Sequence, residues 1–371
     1  MIFPTLFYSA CDASRMECFQ DGREQTTGDG FEKDNSVRLG KELLAASKEF
    51  ATEQRFRSWW CLLSTLALYV LSLAAVLCFS SWYIRVPCSL LSGLLIVRIF
   101  IIYHDFQHGT ILGRSWLAKA LLNTFGVLVL CPASIWNRSH NHHHAQNSKI
   151  QPLNIGSFPI MTLENYMVST PQQRWSYAFS RHPLTIFGGY LTIFFWGISL
   201  RSFFINPREH YDAGLAVLLH LSLLACLFWW APAIAVFAVI IPLVIACGIG
   251  SYLFYAQHNF PGVKLFDKEH WNYVAAAIES SSFMRMSPWM HWFTGNIGFH
   301  HVHHLNAKIP FYRLPEAMAA MPELQSPKCT SLSPLDIYRC FQLKVWDGQR
   351  QIYLTFSEAT AEIARRGQPA V

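Results

Sequence analysis

Three groups of histidine carry the chemistry in this sequence: His104-Asp-Phe-Gln-His108, His140-Asn-His-His143-His144 and His300-His-Val-His303-His304. On a helix, side chains at i, i+3 and i+4 share a face, so the first pattern aims two imidazoles one way and the other two aim three each. Eight rings can then converge. One transition metal rarely takes more than about six ligands, and a structural zinc takes about four, so eight imidazoles suit two ions better than one. Imidazole binds iron, copper, zinc and nickel alike, so ligand type leaves the metal open. Histidine runs such as His142 to His144 also occur in loose metal-buffering loops, but such loops have no reason to repeat a spacing.

The elements that must position these groups are apolar. Of the 371 residues, 52% are hydrophobic, 15% aromatic and only 14% charged, with a mean hydropathy of +0.22. That balance excludes a water-soluble enzyme and predicts an integral membrane protein. The net charge of +6 reads as basic flanks facing an anionic membrane surface. Nucleic acid is not expected as a partner, because no basic stripe is interleaved with stacking aromatics. The ten cysteines lack CxxC spacing, and Cys78, Cys226 and Cys247 lie in apolar runs, which predicts reduced, buried thiols without a disulfide framework.

Residues 1–57 are polar and basic, carrying Arg15, Arg23, Lys33, Arg38, Lys41, Lys48, Arg55 and Arg57, and Met1 to Ala10 lacks the basic start of a signal peptide. Apolar runs at 59–80, 83–103, 213–230 and 233–255 each approach the twenty or so residues a bilayer crossing needs. With the basic N-terminus inside, the second crossing delivers His104 to the cytoplasmic face. The run at 116–131 cannot also cross, because the first two histidine groups would then lie on opposite sides and share no site. By the same parity only two of the three later runs cross. Residues 184–200, flanked by Arg174, Arg181, Arg201 and Arg208, are assigned to the interface. Pro242 predicts a kink in the last crossing. The expected fold is an all-α integral membrane protein. It has four transmembrane helices, interfacial helices at 116–131 and 184–200, and a cytoplasmic helical cap holding the metal site. The expected organisation is a polar region at 1–57, a membrane domain at 58–346 and a tail at 347–371.

The segments HDFQH, WNRSHNHHHAQN and GNIGFHHVHHLN resemble the three histidine boxes of the membrane fatty-acid desaturase family, nearest in character to bacterial acyl-lipid omega-6 (delta-12) desaturases. The resemblance runs from about Ser58 to Trp346. It implies metal ligands at His104, His108, His140, His143, His144, His300, His303 and His304, and excludes His142 and His301, which fall at variable positions. Related membrane di-iron enzymes use a further ligand between the second and third boxes, and His258 in Tyr255-Ala-Gln-His258 stands at the matching place. The implied activity is an oxygen-dependent desaturation on two iron ions in a bacterial inner membrane, with dioxygen as co-substrate, a fatty-acyl lipid as substrate and ferredoxin or cytochrome b5 as electron donor.

Elementary chemistry agrees with that implication. An unactivated methylene C–H is neither acidic nor polarised, so no side-chain acid or base removes its hydrogen and a metal–oxygen oxidant is required. The sequence holds no ExxH pair of the soluble carboxylate di-iron bundles. It also holds no GxGxxG, P-loop or His-Pro-Gly-Gly haem segment, so electrons must come from a partner. Asp105, Asn141, Asn147, Asn296 and Asn306 are candidates to fix imidazole tautomers. Phe283, Trp289, Trp292 and Phe293 are candidates to line an acyl tunnel. A membrane di-iron lipid hydroxylase or carotenoid ketolase would use the same ligands on another lipid. A metal transporter would need an ionisable path through the crossings, which hold only Arg85, Arg98 and His220.

Overall fold

A computed structural model describes residues 40–150 and 156–366, and helix dominates them. Arg15, Arg23, Lys33, Arg38 and the last residues of the tail lie outside the described residues. Four helices are long and apolar enough to cross a bilayer: Arg55–Cys78, Trp82–Gln107, Tyr211–Trp230 and Pro232–His258. They form two hairpins, closed by Phe79 to Ser81 and by Ala231. The all-α membrane class holds. Among the described residues the strands are two or three residues long, pairing Phe283–Arg285 with Cys329–Ser331 and joining Met161–Thr162, Val345–Asp347 and Ile352–Leu354.

Lipid tails are as apolar as leucine, so close approach and buried hydroxyl contacts must hold such helices together. Ser72 and Ser92 hydroxyls meet at 2.8 Å between the first two helices, and Ser89 donates to the Phe237 carbonyl at 2.6 Å. Where the second and fourth helices cross, a Cβ on Gly93 would fall 2.8 Å from Ile245 Cβ and 3.0 Å from the Pro242 carbonyl, so only glycine permits the approach. The expected irregularity at Pro242 takes the form of a π-helical segment, Ala235–Ile240, whose wider turn absorbs the break that a missing N–H makes. Trp82, Tyr83, Trp229 and Trp230 stand exposed at the hairpin turns, as an aromatic belt at the membrane boundary does.

Two crossings overrun the expected limits, and the overrun positions the site. Polarity at His104 predicts an end near residue 103, yet the helix runs unbroken to Gln107 and stops only where Gly109 takes a φ of +65°. Histidine is compatible with helix, so the change in polarity marks the membrane boundary and not the end of the element. At about 1.5 Å per residue, the 26 residues of this helix span about 39 Å against about 30 Å of hydrocarbon, so its last turns project with their imidazoles into the cap. The fourth helix likewise continues past residue 255 through His258.

The piece expected at the interface near 116–131 is Trp116–Leu128, which meets Ala133–Gln146 at an 89° bend. That corner is closed by Tyr103, whose hydroxyl donates to the Cys131 carbonyl at 3.0 Å, and it packs on Gly126. A Cβ at 126 would sit 2.8 Å from Tyr103 Oη and 2.9 Å from the Cys131 carbonyl. Gly126→Ala is therefore expected to cost about 1–3 kcal/mol through overpacking. A lowered thermal midpoint would show it, whereas an unchanged one would mean the corner is slack. The other run expected at the interface, 184–200, forms Pro183–Phe187 followed by the shorter apolar helix Tyr190–Ile205.

The basic start of the first helix touches the histidine-bearing cap. Arg57 pairs with Glu316 at 3.1 Å and Ser58 Oγ meets Tyr312 Oη at 2.9 Å. Strand Ile352–Leu354 and helix Phe356–Arg366 complete the cap by packing Leu354 and Ala359 on Leu163, Tyr166 and Tyr177. Seven described cysteines carry free thiols, but Cys329 is disulfide-bonded, against the expectation of reduced thiols throughout. Nothing in its sequence surroundings distinguishes it, because pairing depends on what the fold brings near.

Candidate metal centre

Nine imidazoles meet in two groups: His104, His108, His140, His144 and His303 in one, and His143, His258, His300 and His304 in the other. Within each group the atoms able to ligate lie within 4.8 Å of one another. Helix geometry explains the division. Residues four apart sit almost above one another, whereas the residue at i+3 is rotated to the other side of that row. In helix Ala133–Gln146 the i, i+4 pair His140 and His144 enters the first group and His143 the second. In helix His300–Leu305 the i, i+4 pair His300 and His304 enters the second group and His303 the first. The last turns of the second and fourth long helices add His104 with His108, and His258.

The nitrogens face inward. Nε2 atoms lie 2.9 Å apart for His104 and His140, 3.1 Å for His140 and His144, and 3.1 Å for His144 and His303. In the second group they lie 3.0 Å apart for His143 and His258, 2.8 Å for His258 and His300, and 3.3 Å for His143 and His304. Two nitrogens each about 2.1 Å from an ion and at right angles around it stand about 3.0 Å apart, so the observed separations suit shared ligation. Hydrogen bonding among the rings cannot account for them all. His104 Nδ1 is 3.0 Å from Asp105 Oδ1 and His258 Nδ1 is 3.0 Å from the Ser280 carbonyl, so each ring carries its proton there and turns a lone pair inward at Nε2. His108 Nε2 is buried without a hydrogen-bond partner among the described residues. Burial first, and then the neighbouring imidazoles, hold His140, His143, His144, His300, His303 and His304 well below the usual histidine pKa. Neutral rings with inward lone pairs are what a transition metal requires.

Around these rings the expected tautomer-fixing groups divide. Asp105 does the job for His104 and also accepts the Phe311 N–H at 2.7 Å, tying the second helix to the cap. Asn147, Asn296 and Asn306 bond elsewhere, to the Ala276 carbonyl and Ser281, to the Phe311 carbonyl, and to Ser47. Asn141 is exposed. Two other groups contact ring nitrogens instead, Ser157 Oγ at 2.6 Å from His143 Nδ1 and the Ser280 carbonyl, while Trp136 holds the His140 ring by stacking its indole on it at 4.4 Å. A loop serine and a backbone carbonyl carry no sequence signal. Trp136 stands four residues before His140, and that helical spacing was available to find it.

A family model described as fatty acid desaturase matches residues 80–333. The chain belongs to the fatty acid desaturase family. A relative named fatty acid desaturase from Bacillus subtilis (strain 168) is 29% identical over 281 residues, covering 74% of this chain and 78% of the relative. The sn-1 oleoyl-lipid 12-desaturase of Synechocystis sp. (strain ATCC 27184 / PCC 6803 / Kazusa) is 21% identical over 311 residues, 78% of this chain and 83% of the relative. The endoplasmic reticulum omega-3 fatty acid desaturase of Vigna radiata var. radiata is 25% identical over 261 residues, covering 66% of each.

Other histidines of this desaturase-family chain stand outside both groups. His301 is buried, but its Nε2 donates to the Leu324 carbonyl at 3.2 Å and so is turned away from both groups. His210 contacts Ser134, His220 the Tyr190 hydroxyl, and His291 stacks on Phe283. The four aromatics expected along a tunnel do not act together: Phe283 is fully buried against His291 and Phe299, Trp289 is exposed, and Trp292 lies under Arg98. Their nearness in sequence to the third box did not determine the side on which each emerges. The ring that does approach the second group is Phe254, 4.9 Å from His143. Without His258 that group retains three imidazoles, so His258→Ala is expected to lose about one metal ion in two while His142→Ala keeps both. Metal-to-protein ratios in purified material test this, and equal loss in both variants would count against it.

Proposed function

We propose that this chain introduces a cis double bond, of omega-6/delta-12 type, into the acyl chain of a membrane lipid. In this reading two iron ions are held by His104, His108, His140, His144 and His303, and by His143, His258, His300 and His304. The observation that carries it is the pair of adjacent all-imidazole groups at one end of four apolar helices. When bound, the irons supply from dioxygen the oxidising power that an unactivated methylene demands. The overall balance is one –CH2–CH2– unit, one dioxygen, two electrons and two protons giving one –CH=CH– unit and two waters. The electrons come from ferredoxin or cytochrome b5.

The chain's own residues orient and shield. Asp105 and the Ser280 carbonyl keep the protons of His104 and His258 on Nδ1, leaving Nε2 for metal. Trp136 stacks on His140 and Phe254 meets His143 edge-on, so apolar surface borders both rings and limits water around them. The cytoplasmic side of a bacterial inner membrane is supported by the basic first turn of Arg55–Cys78, which meets the cap that holds the histidines.

Expression in a bacterial host grown under heavy-isotope dioxygen tests the reaction. A new double bond with no heavy oxygen in the acyl chain is expected by mass spectrometry of the methyl esters. An added oxygen atom without unsaturation would assign a hydroxylase or ketolase instead.

A further inference from the structure

An open groove of about 760 Å³ lies away from both imidazole groups, between helix Pro171–Ser180, the segment from His182 to Thr192, and the C-terminal stretch from Phe341 to Phe356. Trp175, Phe179, Leu184, Phe341 and Phe356 make its walls. Trp175 is 68%, Phe179 49% and Leu184 76% exposed. Trp175 and Phe179 stack at 5.5 Å, which is the four-residue helical spacing turned outward. Thr192 of the following helix, Tyr190–Ile205, also lines the groove, and that helix carries exposed Leu191 and Trp196.

One end of the groove is cationic and lacks an acid. Lys344 lines it half-buried, donating to the Arg181 carbonyl at 2.8 Å, with its ammonium 5.8 Å from the Phe341 ring and 5.7 Å from the Phe356 ring. Among the described residues no carboxylate pairs with it. The neighbouring Arg181 is also buried without a carboxylate: it donates to the carbonyls of Pro159 and Leu343 and to Asn259 Oδ1, under the rings of Tyr177, Tyr255 and Tyr353. Desolvation, and then the Arg181 charge, push Lys344 down to about 8. His182 accepts the Leu184 N–H at Nδ1, so its proton is on Nε2 and offers a second donor on the same wall. Two cations without an acid, beside an exposed apolar trough, call for a ligand with an anion at one end and hydrocarbon at the other.

We propose that this groove seats a membrane phospholipid with an anionic headgroup, its phosphate on Lys344 and His182 and an acyl chain over Trp175, Phe179 and Leu184. The seat is independent of the reaction proposed above. One of its wall rings, Phe341, packs on Tyr255 at 5.2 Å, one turn before His258.

The test uses the full chain in phosphatidylcholine nanodiscs doped with phosphatidylglycerol bearing a photoreactive group on one acyl chain. Labelling is expected on the peptides around Trp175 to Leu184 or Phe341 to Phe356, with competition by unlabelled phosphatidylglycerol. Lys344→Glu and Lys344→Met should each reduce it about tenfold, and Lys344→Arg should preserve it. Metal content and thermal midpoint measured on the same samples separate loss of the seat from loss of the fold. The wild type decides by itself if the variants unfold: phosphatidylcholine carrying the same photoreactive chain should label these peptides far less. Equal labelling by the two headgroups, adducts confined to other peptides, wild-type labelling of a folded Lys344→Met, or competition by inorganic phosphate as strong as by the lipid would each overturn the proposal.

Discussion

Replacing His303 with alanine is expected to reduce acyl-chain desaturation to below about a hundredth of the wild-type level, more than the 10- to 100-fold typical of losing an outer-shell partner. His303 is the one residue of the third box in the five-imidazole group, so its ring is the bridge between that group and helix His300–Leu305. Its loss leaves four ligands from two boxes and unfastens them from the third. Fatty-acid methyl-ester profiles of a host expressing wild type and His303→Ala provide the measurement, with membrane insertion and iron content read on the same cells. His301→Ala is the matched comparison, because His301 is equally buried but donates to the Leu324 carbonyl. It should lower stability while the folded fraction keeps its activity. Wild-type product from His303→Ala would remove the basis for placing the chemistry at these groups.

Asp105→Asn is expected to lower metal affinity and product formation about 10- to 100-fold with little change in shape. Both carboxylate oxygens are engaged as acceptors, Oδ1 from His104 Nδ1 at 3.0 Å and Oδ2 from the Phe311 N–H at 2.7 Å. An amide of the same shape has one acceptor oxygen and turns an NH2 group toward one of these two donors. If it faces His104, the ring proton moves to Nε2 and removes the lone pair that a metal would take. If it faces Phe311, a buried N–H is left unsatisfied at a cost of about 1–3 kcal/mol, and the tie between the second helix and the cap loosens. Competition with a chelator of known affinity separates the two outcomes, since only the first lowers affinity without lowering the thermal midpoint. An Asn variant within about twofold of wild type on both measures would show that His104 needs no carboxylate.

Much of the architecture is legible in the sequence because it follows from solvent chemistry. Bilayer thickness sets helix length, and each of the four long apolar helices begins within four residues of its expected start. Parity then asked 116–131 to stay on one side, and at that place Trp116–Leu128 and Ala133–Gln146 meet at an 89° corner. Less legible was where the second and fourth helices stop. Hydropathy reports the membrane boundary, whereas a helix ends where the backbone finds a cap or a left-handed residue such as Gly109.

The site divides in the same way. Residue types and the i, i+3, i+4 spacing singled out the histidines and the chance that they act as a set, because those are properties of one helix at a time. Sequence alone did not sort them into five and four, because the sorting depends on how separate helices rotate about their axes when they pack. Nor did it disclose Ser157, the Ser280 carbonyl or the cationic groove at Lys344, whose partners lie in segments distant along the chain. Spacing is written into a single element by its 3.6-residue turn, while contact between elements is settled only when their surfaces meet.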